Sequence, residues 1–140
     1  MPSFQHLLLK QLLTAAAAPL ARRKPSVGAM RLAMEAGSLF QFMPWRVNLE
    51  SFQLDNRFEA EWLRPRTAHP TRVLLYLHGG GYVLGSLNTH RSLVGSLAQR
   101  CALNVLTINY RKAPDHPFPA APHDARRPYR CPLHHSDAPD

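Results

Sequence analysis

Apolar side chains recur at helical spacing in the Leu- and Ala-rich stretch from residue 4 to residue 20. The spacing places Phe4, Leu8, Leu12 and Ala15 on one stripe, which predicts an amphipathic helix with Pro19 marking its end. Such a stripe needs a surface to cover it. Residues 27–42 repeat the pattern through Met30, Met34 and the Leu39-Phe40 pair, weakened at Gly37 and stopped by Pro44. From residue 46 to residue 54 the period changes to two, with Val47, Leu49 and Ser51 on one side. Asp55-Asn56 then supplies turn chemistry and residues 58–63 alternate again, so an antiparallel hairpin is expected. Pro65 and residues 67–70 read as a loop.

Residues 73–77 are continuously apolar, a run that suits a strand covered on both faces in a parallel sheet. Residues 88–102 read as a helix with Leu93, Val94, Leu97 and Ala98 turned inward, and residues 105–108 as a second buried strand. Strand, helix and strand in that order imply a right-handed crossover and a parallel pair. After Tyr110, prolines fall at 114, 117, 119, 122, 128, 132 and 139. Each costs about 3 kcal/mol inside a helix, so helices here must be short. The fold class is therefore α/β. An N-terminal helical, cap-like segment spans residues 1–45, an α/β body of hairpin, two parallel strands and crossover helix spans residues 46–124, and residues 125–140 form a tail.

At 140 residues the chain suffices for one domain. Seventeen Lys+Arg against nine Asp+Glu leave a formal charge of +8, which favours anionic partners in a salt-sensitive way. The basic residues are scattered, with knots at 22–24 and 126–127 and no aromatic residues between them, which argues against nucleic acid. Cys101 and Cys131 are too few for a disulfide framework, and Cys101, at a helix end, is expected to be buried. Cys131, His134, His135 and His123 lack the spacing of a structural zinc site, so no metal is expected. Lys10 interrupts the first apolar stretch and no positive n-region precedes it, which disfavours a secretory signal; its length disfavours a membrane span. The first acidic residue is Glu35, which keeps an acid-poor targeting segment as the alternative to a cap helix. The expected compartment is the cytoplasm.

The candidate chemistry lies at His78-Gly79-Gly80-Gly81-Tyr82, directly after the apolar strand. A carbonyl under nucleophilic attack develops negative charge on oxygen, and backbone N–H groups fixed in advance stabilise it. Consecutive glycines allow the dihedrals and the close approach that such a loop requires, and a triple glycine after a buried strand is the setting of the oxyanion loop in lipases and esterases. Without chemistry, the same glycines would be an ordinary turn.

In HGGGYVLGS, residues 78–86, and YRKAPDHPFPAA, residues 110–121, the chain resembles the hormone-sensitive-lipase family of α/β-hydrolases. The resemblance extends in layout from about residue 27 to Asp124. It implies that Gly80 and Gly81 supply oxyanion-hole N–H groups, that His78 and Gly79 support the loop, and that Tyr82 borders the acyl pocket. It further implies a scaffold beneath the site from Tyr110, Arg111, Pro114, His116 and Pro117, anchored at Asp124. Lys112 and Asp115 depart from the family's usual Leu and Glu.

The family's nucleophile sits in a Gly-x-Ser-x-Gly elbow, with the Asp and His of the triad following it. Ser3, Ser26, Ser38, Ser51, Ser86, Ser92, Ser96 and Ser136 all lack that setting. A substitute triad of Ser86, His90 and Asp115 is disfavoured, since Ser86 and His90 read as a loop and a helix start. Where the family continues with an apolar helix, Ala125-Arg126-Arg127-Pro128 follows Asp124. Residues 126–140 are accordingly expected to be disordered and the chain a truncated product. Truncation would leave the 73–77 strand as an open edge prone to self-association. The resemblance thus implies a carboxylic-ester hydrolase that takes a small-molecule ester or acyl ligand without a cofactor, and that is inactive as these 140 residues. The alternatives are a noncatalytic anion- or acyl-binding protein and a nonfunctional remnant.

Overall fold

A computed structural model describes residues 4–22, 24–55 and 57–129. Helices α1 (Phe4–Arg22) and α2 (Val27–Ser38) precede strands β1 (Val47–Leu54), β2 (Phe58–Pro65) and β3 (Val73–Leu77). Helix α3 (Leu87–Cys101), strand β4 (Asn104–Ile108), helix α4 (Ala120–Ala125) and a 3-10 turn (Arg127–Tyr129) complete the chain. The four strands form one sheet in the order β1-β2-β4-β3, with β1 and β2 antiparallel, β2 and β4 antiparallel, and β3 and β4 parallel. The expected hairpin and the expected parallel pair are thereby joined in one mixed α/β sheet.

Strand order decides burial. β2 and β4 lie inside the sheet, and their alternate residues feed two cores. Phe58, Ala60, Trp62, Leu106 and Ile108 form one with Leu54, Tyr110 and Ala121, while Leu63 and Val105 form the other with Val47, Val94 and Ala98 of the α3 side. β3, although continuously apolar, is the edge: Leu74, Leu75 and Tyr76 are half-buried, and Val73 and Leu77 remain 40% and 44% exposed. The run that reads as covered on both faces is thus covered only in part, because it has a neighbour on one side alone.

The polar alternation of β2 conceals a buried charge. Glu61, on the α3 face, is 2% exposed and accepts two hydrogen bonds from Arg91 of α3, through Nε at 3.1 Å and through NH2. A desolvated carboxylate requires such a partner, because its burial unpaired would cost several kcal/mol. The same pair pins α3 to the sheet. Helix α3 begins at a capping box, in which the Ser86 hydroxyl accepts from the Thr89 N–H at 3.2 Å and the Thr89 hydroxyl from the Ser86 N–H at 2.9 Å. Ser86 and His90 are therefore a helix cap and a first-turn residue.

Several boundaries differ from expectation. α1 runs three residues past Pro19, whose ring nitrogen forfeits a single bond to the carbonyl four residues back. Its Phe4, Leu8 and Leu12 are exposed. α2 starts at the Ser26 cap and stops at Ser38, so Leu39, Phe40 and Phe42 lie beyond it and are exposed. Gly37, one residue from its end, is the natural breaking point. Leu93 faces outward at 57% exposure, because Val94 and Ala98 set the buried stripe of α3. Cys101 is exposed at the last position of that helix. Arg126 to Tyr129 continue the fold instead of leaving it: Pro128 is buried and Arg127 bonds Asp55 at 2.8 Å. Residues 130–140, with Cys131, His134 and His135, lie outside the described residues.

Candidate active site

β3 delivers the chain to His78, which is 3% exposed, and then into the exposed glycines 79–81. The backbone becomes left-handed at Gly80 (φ 122°), Gly81 (φ 62°) and Tyr82 (φ 61°). It then turns back, with the N–H groups of Val83 and Leu84 both donating to the Gly80 carbonyl at 3.1 and 2.9 Å. A Cβ on Gly80 would collide with the Leu84 carbonyl oxygen, and one on Gly85 (φ 85°) with the Gly79 carbonyl oxygen. The turn therefore closes only with glycine at both ends. Among the described residues, no acceptor meets the N–H of Gly80 or Gly81. Two adjacent main-chain donors at an exposed loop can receive a developing negative charge.

Gly81, but not Gly80, lines a cavity of about 320 Å³, together with Leu77, His78, Gly79, Tyr82, Tyr110, Ala121, Pro122 and Ala125. Its wall is mainly apolar, as an acyl group would require. Larger depressions lie along α2 and α3, about 440 Å³, and beside Arg57, Lys112 and His116, about 560 Å³, but neither contains the glycine donors.

Beneath the loop, the His78 ring stacks on Tyr110 with centroids 4.2 Å apart, and the Tyr110 hydroxyl donates to the His78 carbonyl at 2.6 Å. His78 Nδ1 lies 2.9 Å from the Gly79 carbonyl, which makes Nδ1 the protonated nitrogen of a neutral ring. Burial is the main reason that the imidazole titrates at about 4 instead of the ordinary 6.5. The bond to Gly79 opposes that shift, while the nearby Lys112 and His90 reinforce it. Burial also pushes the Tyr110 phenol upward.

The 110–121 segment divides in two. Tyr110 and Ala121 are buried under the loop, whereas residues 114–119, including Pro114, His116 and Pro117, are exposed. Asp124 is fully buried and accepts from Arg111 three times, from its N–H at 3.0 Å and its guanidinium at 2.9 and 2.8 Å. Burial pushes its carboxyl upward, but the Arg111 bonds overcome this and hold it below the usual range. Lys112 gives its ammonium to Asn109 Oδ1 at 2.7 Å, and burial lowers its pKa. Asp115 pairs with Arg31 of α2, while Ser86 and His90 bond Thr89.

Two residues that order this loop carry weak sequence signals. Gly85 lies inside the glycine motif, but its need for glycine comes from contact with Gly79 and His78, which spacing does not reveal. Arg31 stands 52 positions before its acceptor Val83, on an ordinary helix face.

Two outcomes follow. Gly80→Ala should lower the urea unfolding free energy by about 2 kcal/mol or more and redistribute the amide signals of residues 79–85, since its Cβ meets backbone. Gly81→Ala meets only the left-handed penalty of about 1–2 kcal/mol; equal effects of the two would contradict the geometry. For His78, the unfolded chain binds a proton below pH 6.5 while the folded chain resists it to about pH 4. Stability should therefore fall as the pH drops through that window, and His78→Asn should remove that part of the slope in urea titrations across it.

With this geometry in place, a family model described as "alpha/beta hydrolase fold" matches residues 74–138. An acetyl-hydrolase of Streptomyces hygroscopicus is 49% identical over 71 residues, which cover 51% of this chain and 23% of the relative. An esterase/lipase structure from an uncultured bacterium superposes with TM-score 0.80 at 36% identity, covering 92% of this chain and 43% of the other. An esterase structure from the bacterial hormone-sensitive lipase family gives TM-score 0.69 at 35% identity, covering 76% and 35%. The chain thus spans less than half the length of the proteins it matches. Together these likenesses support an α/β-hydrolase of the hormone-sensitive-lipase type, to part of which this chain corresponds.

Proposed function

We propose that these residues form the oxyanion-stabilising half of a carboxylic-ester hydrolase. Gly80 and Gly81 offer their N–H groups to the acyl oxygen, Gly79 and His78 support the loop, and Tyr82 borders the acyl group in the apolar cavity. The observation that supports this reading is the adjacent pair of Gly80 and Gly81 N–H groups that meet no acceptor among the described residues, with Gly81 lining that cavity. Tyr110, Arg111 and Asp124 brace the loop from below, and Pro114, His116 and Pro117 shape the segment between them. The substrate is a small-molecule ester, and neither metal nor organic cofactor takes part.

The serine that attacks is not among these 140 residues, since none occupies a Gly-x-Ser-x-Gly setting. On its own the chain binds an acyl oxygen or carboxylate without turnover, because nucleophile, base and oxyanion donors act as a unit. Its formal charge of +8 favours the same anionic ligands. The exposed edge of β3, with Val73 and Leu77 uncovered, is the surface through which copies of the chain self-associate. We assign it to the cytoplasm; among the described residues, no helix is long and apolar enough to cross a membrane.

The ligand reading is tested by titrating butyrate into ¹⁵N-labelled protein. The Gly80 and Gly81 amide signals should shift with a Kd on the order of millimolar, and Gly80→Ala should abolish the shift. Unmoved glycine signals would refute it. In parallel, an activated p-nitrophenyl ester should give no stoichiometric burst; a burst would mean that a nucleophile is present after all.

A further inference from the structure

One side chain of the N-terminal helical segment reaches the glycine loop directly. The Arg31 guanidinium, on α2, makes three hydrogen bonds to two other segments: Nε to the Val83 carbonyl at 2.9 Å, NH2 to the Ala113 carbonyl at 2.7 Å, and NH1 to Asp115 Oδ2 at 2.6 Å. Those segments are also bonded to each other, the Ala113 N–H donating to the Tyr82 carbonyl at 2.9 Å. Val83 is one of the two residues whose N–H groups close the turn onto Gly80, so Arg31 holds the carbonyl of a residue that holds Gly80. Its neighbour Tyr82 has φ 61°, a conformation that an L-residue keeps only when its surroundings enforce it.

We propose that Arg31 is a positioning residue for the oxyanion loop, through which α2 keeps the N–H groups of Gly80 and Gly81 in their receiving geometry. The proposal rests on the oxyanion reading and extends it: the N-terminal helical segment sets the order of the site without touching the ligand. The residue type matters. A guanidinium presents separate donors in a fixed plane and can satisfy two carbonyls and a carboxylate together, whereas a lysine ammonium is a single point on a flexible stem. The two carbonyl bonds are the part of the clamp that orders the loop. Asp115 is 62% exposed at its side chain, where an ion pair contributes little.

Amide hydrogen exchange on the ligand-free protein tests this. Arg31→Lys and Arg31→Met should each speed exchange at Val83, Leu84 and Ala113 by about tenfold or more, the effect of losing charge-assisted hydrogen bonds. Exchange at Leu106, paired between Trp62 and Leu75 in the middle of the sheet, should not change. Asp115→Asn should leave the loop near its wild-type rates, because both carbonyl bonds remain. Arg31→Lys retains charge and stem, so it tests the clamp even if Arg31→Met unfolds the chain. An unchanged loop in Arg31→Lys would overturn the proposal, as would equal acceleration at the loop and at Leu106, which would mark Arg31 as a general packing residue. Because no ligand is present, exchange decides the clamp whichever way butyrate titration decides the oxyanion reading.

Discussion

The turn at Gly80 is the constraint on which the site depends. Its carbonyl accepts from two N–H groups downstream, Val83 and Leu84, and that closure leaves no room for a side chain. The chain runs left-handed through Gly80, Gly81 and Tyr82, and among the described residues the Gly80 and Gly81 amides meet no acceptor. An unsatisfied N–H in an interior would cost about 1–3 kcal/mol. At an exposed loop, solvent offsets that cost until a ligand oxygen replaces it.

Three supports converge on this turn from different parts of the chain. From below, Tyr110 stacks on His78 and bonds its carbonyl, so the end of β3 and the end of β4 share one brace. From the far side, Ser86 caps α3 and fixes where the loop must end. From the N-terminal segment, Arg31 ties Val83 to Ala113. The supports differ chemically, and His78 adds a condition of its own, since its ring must stay neutral to remain buried. Acid therefore acts on the same element that glycine substitution does.

Much of this was legible before any coordinates. The change of period at residue 46 marked the hairpin, and the apolar run at 73–77 gave β3 to the residue. What failed to show was set by tertiary neighbours. Glu61 sits in an alternating pattern as though facing solvent, yet β2 is an interior strand and Arg91 arrives from a helix thirty positions later. Leu93 looked inward by type, but Val94 and Ala98 determined the packed stripe. Gly85 and Arg31 matter through contacts between segments distant in sequence or folded back on themselves, and neither composition nor spacing encodes those. The tail after Asp124 was expected to leave the fold at once, whereas Pro128 and Arg127 still pack and pair.

The central claim, that two adjacent glycine amides receive an acyl oxygen, is tested most directly by a crystal structure of the chain with bound butyrate. The account predicts one carboxylate oxygen within about 3 Å of both the Gly80 and Gly81 nitrogens, with the alkyl chain in the cavity between Tyr82 and Ala121. A carboxylate bound instead beside Lys112 and Arg57, with the two glycine amides turned to acceptors within the protein, would contradict it.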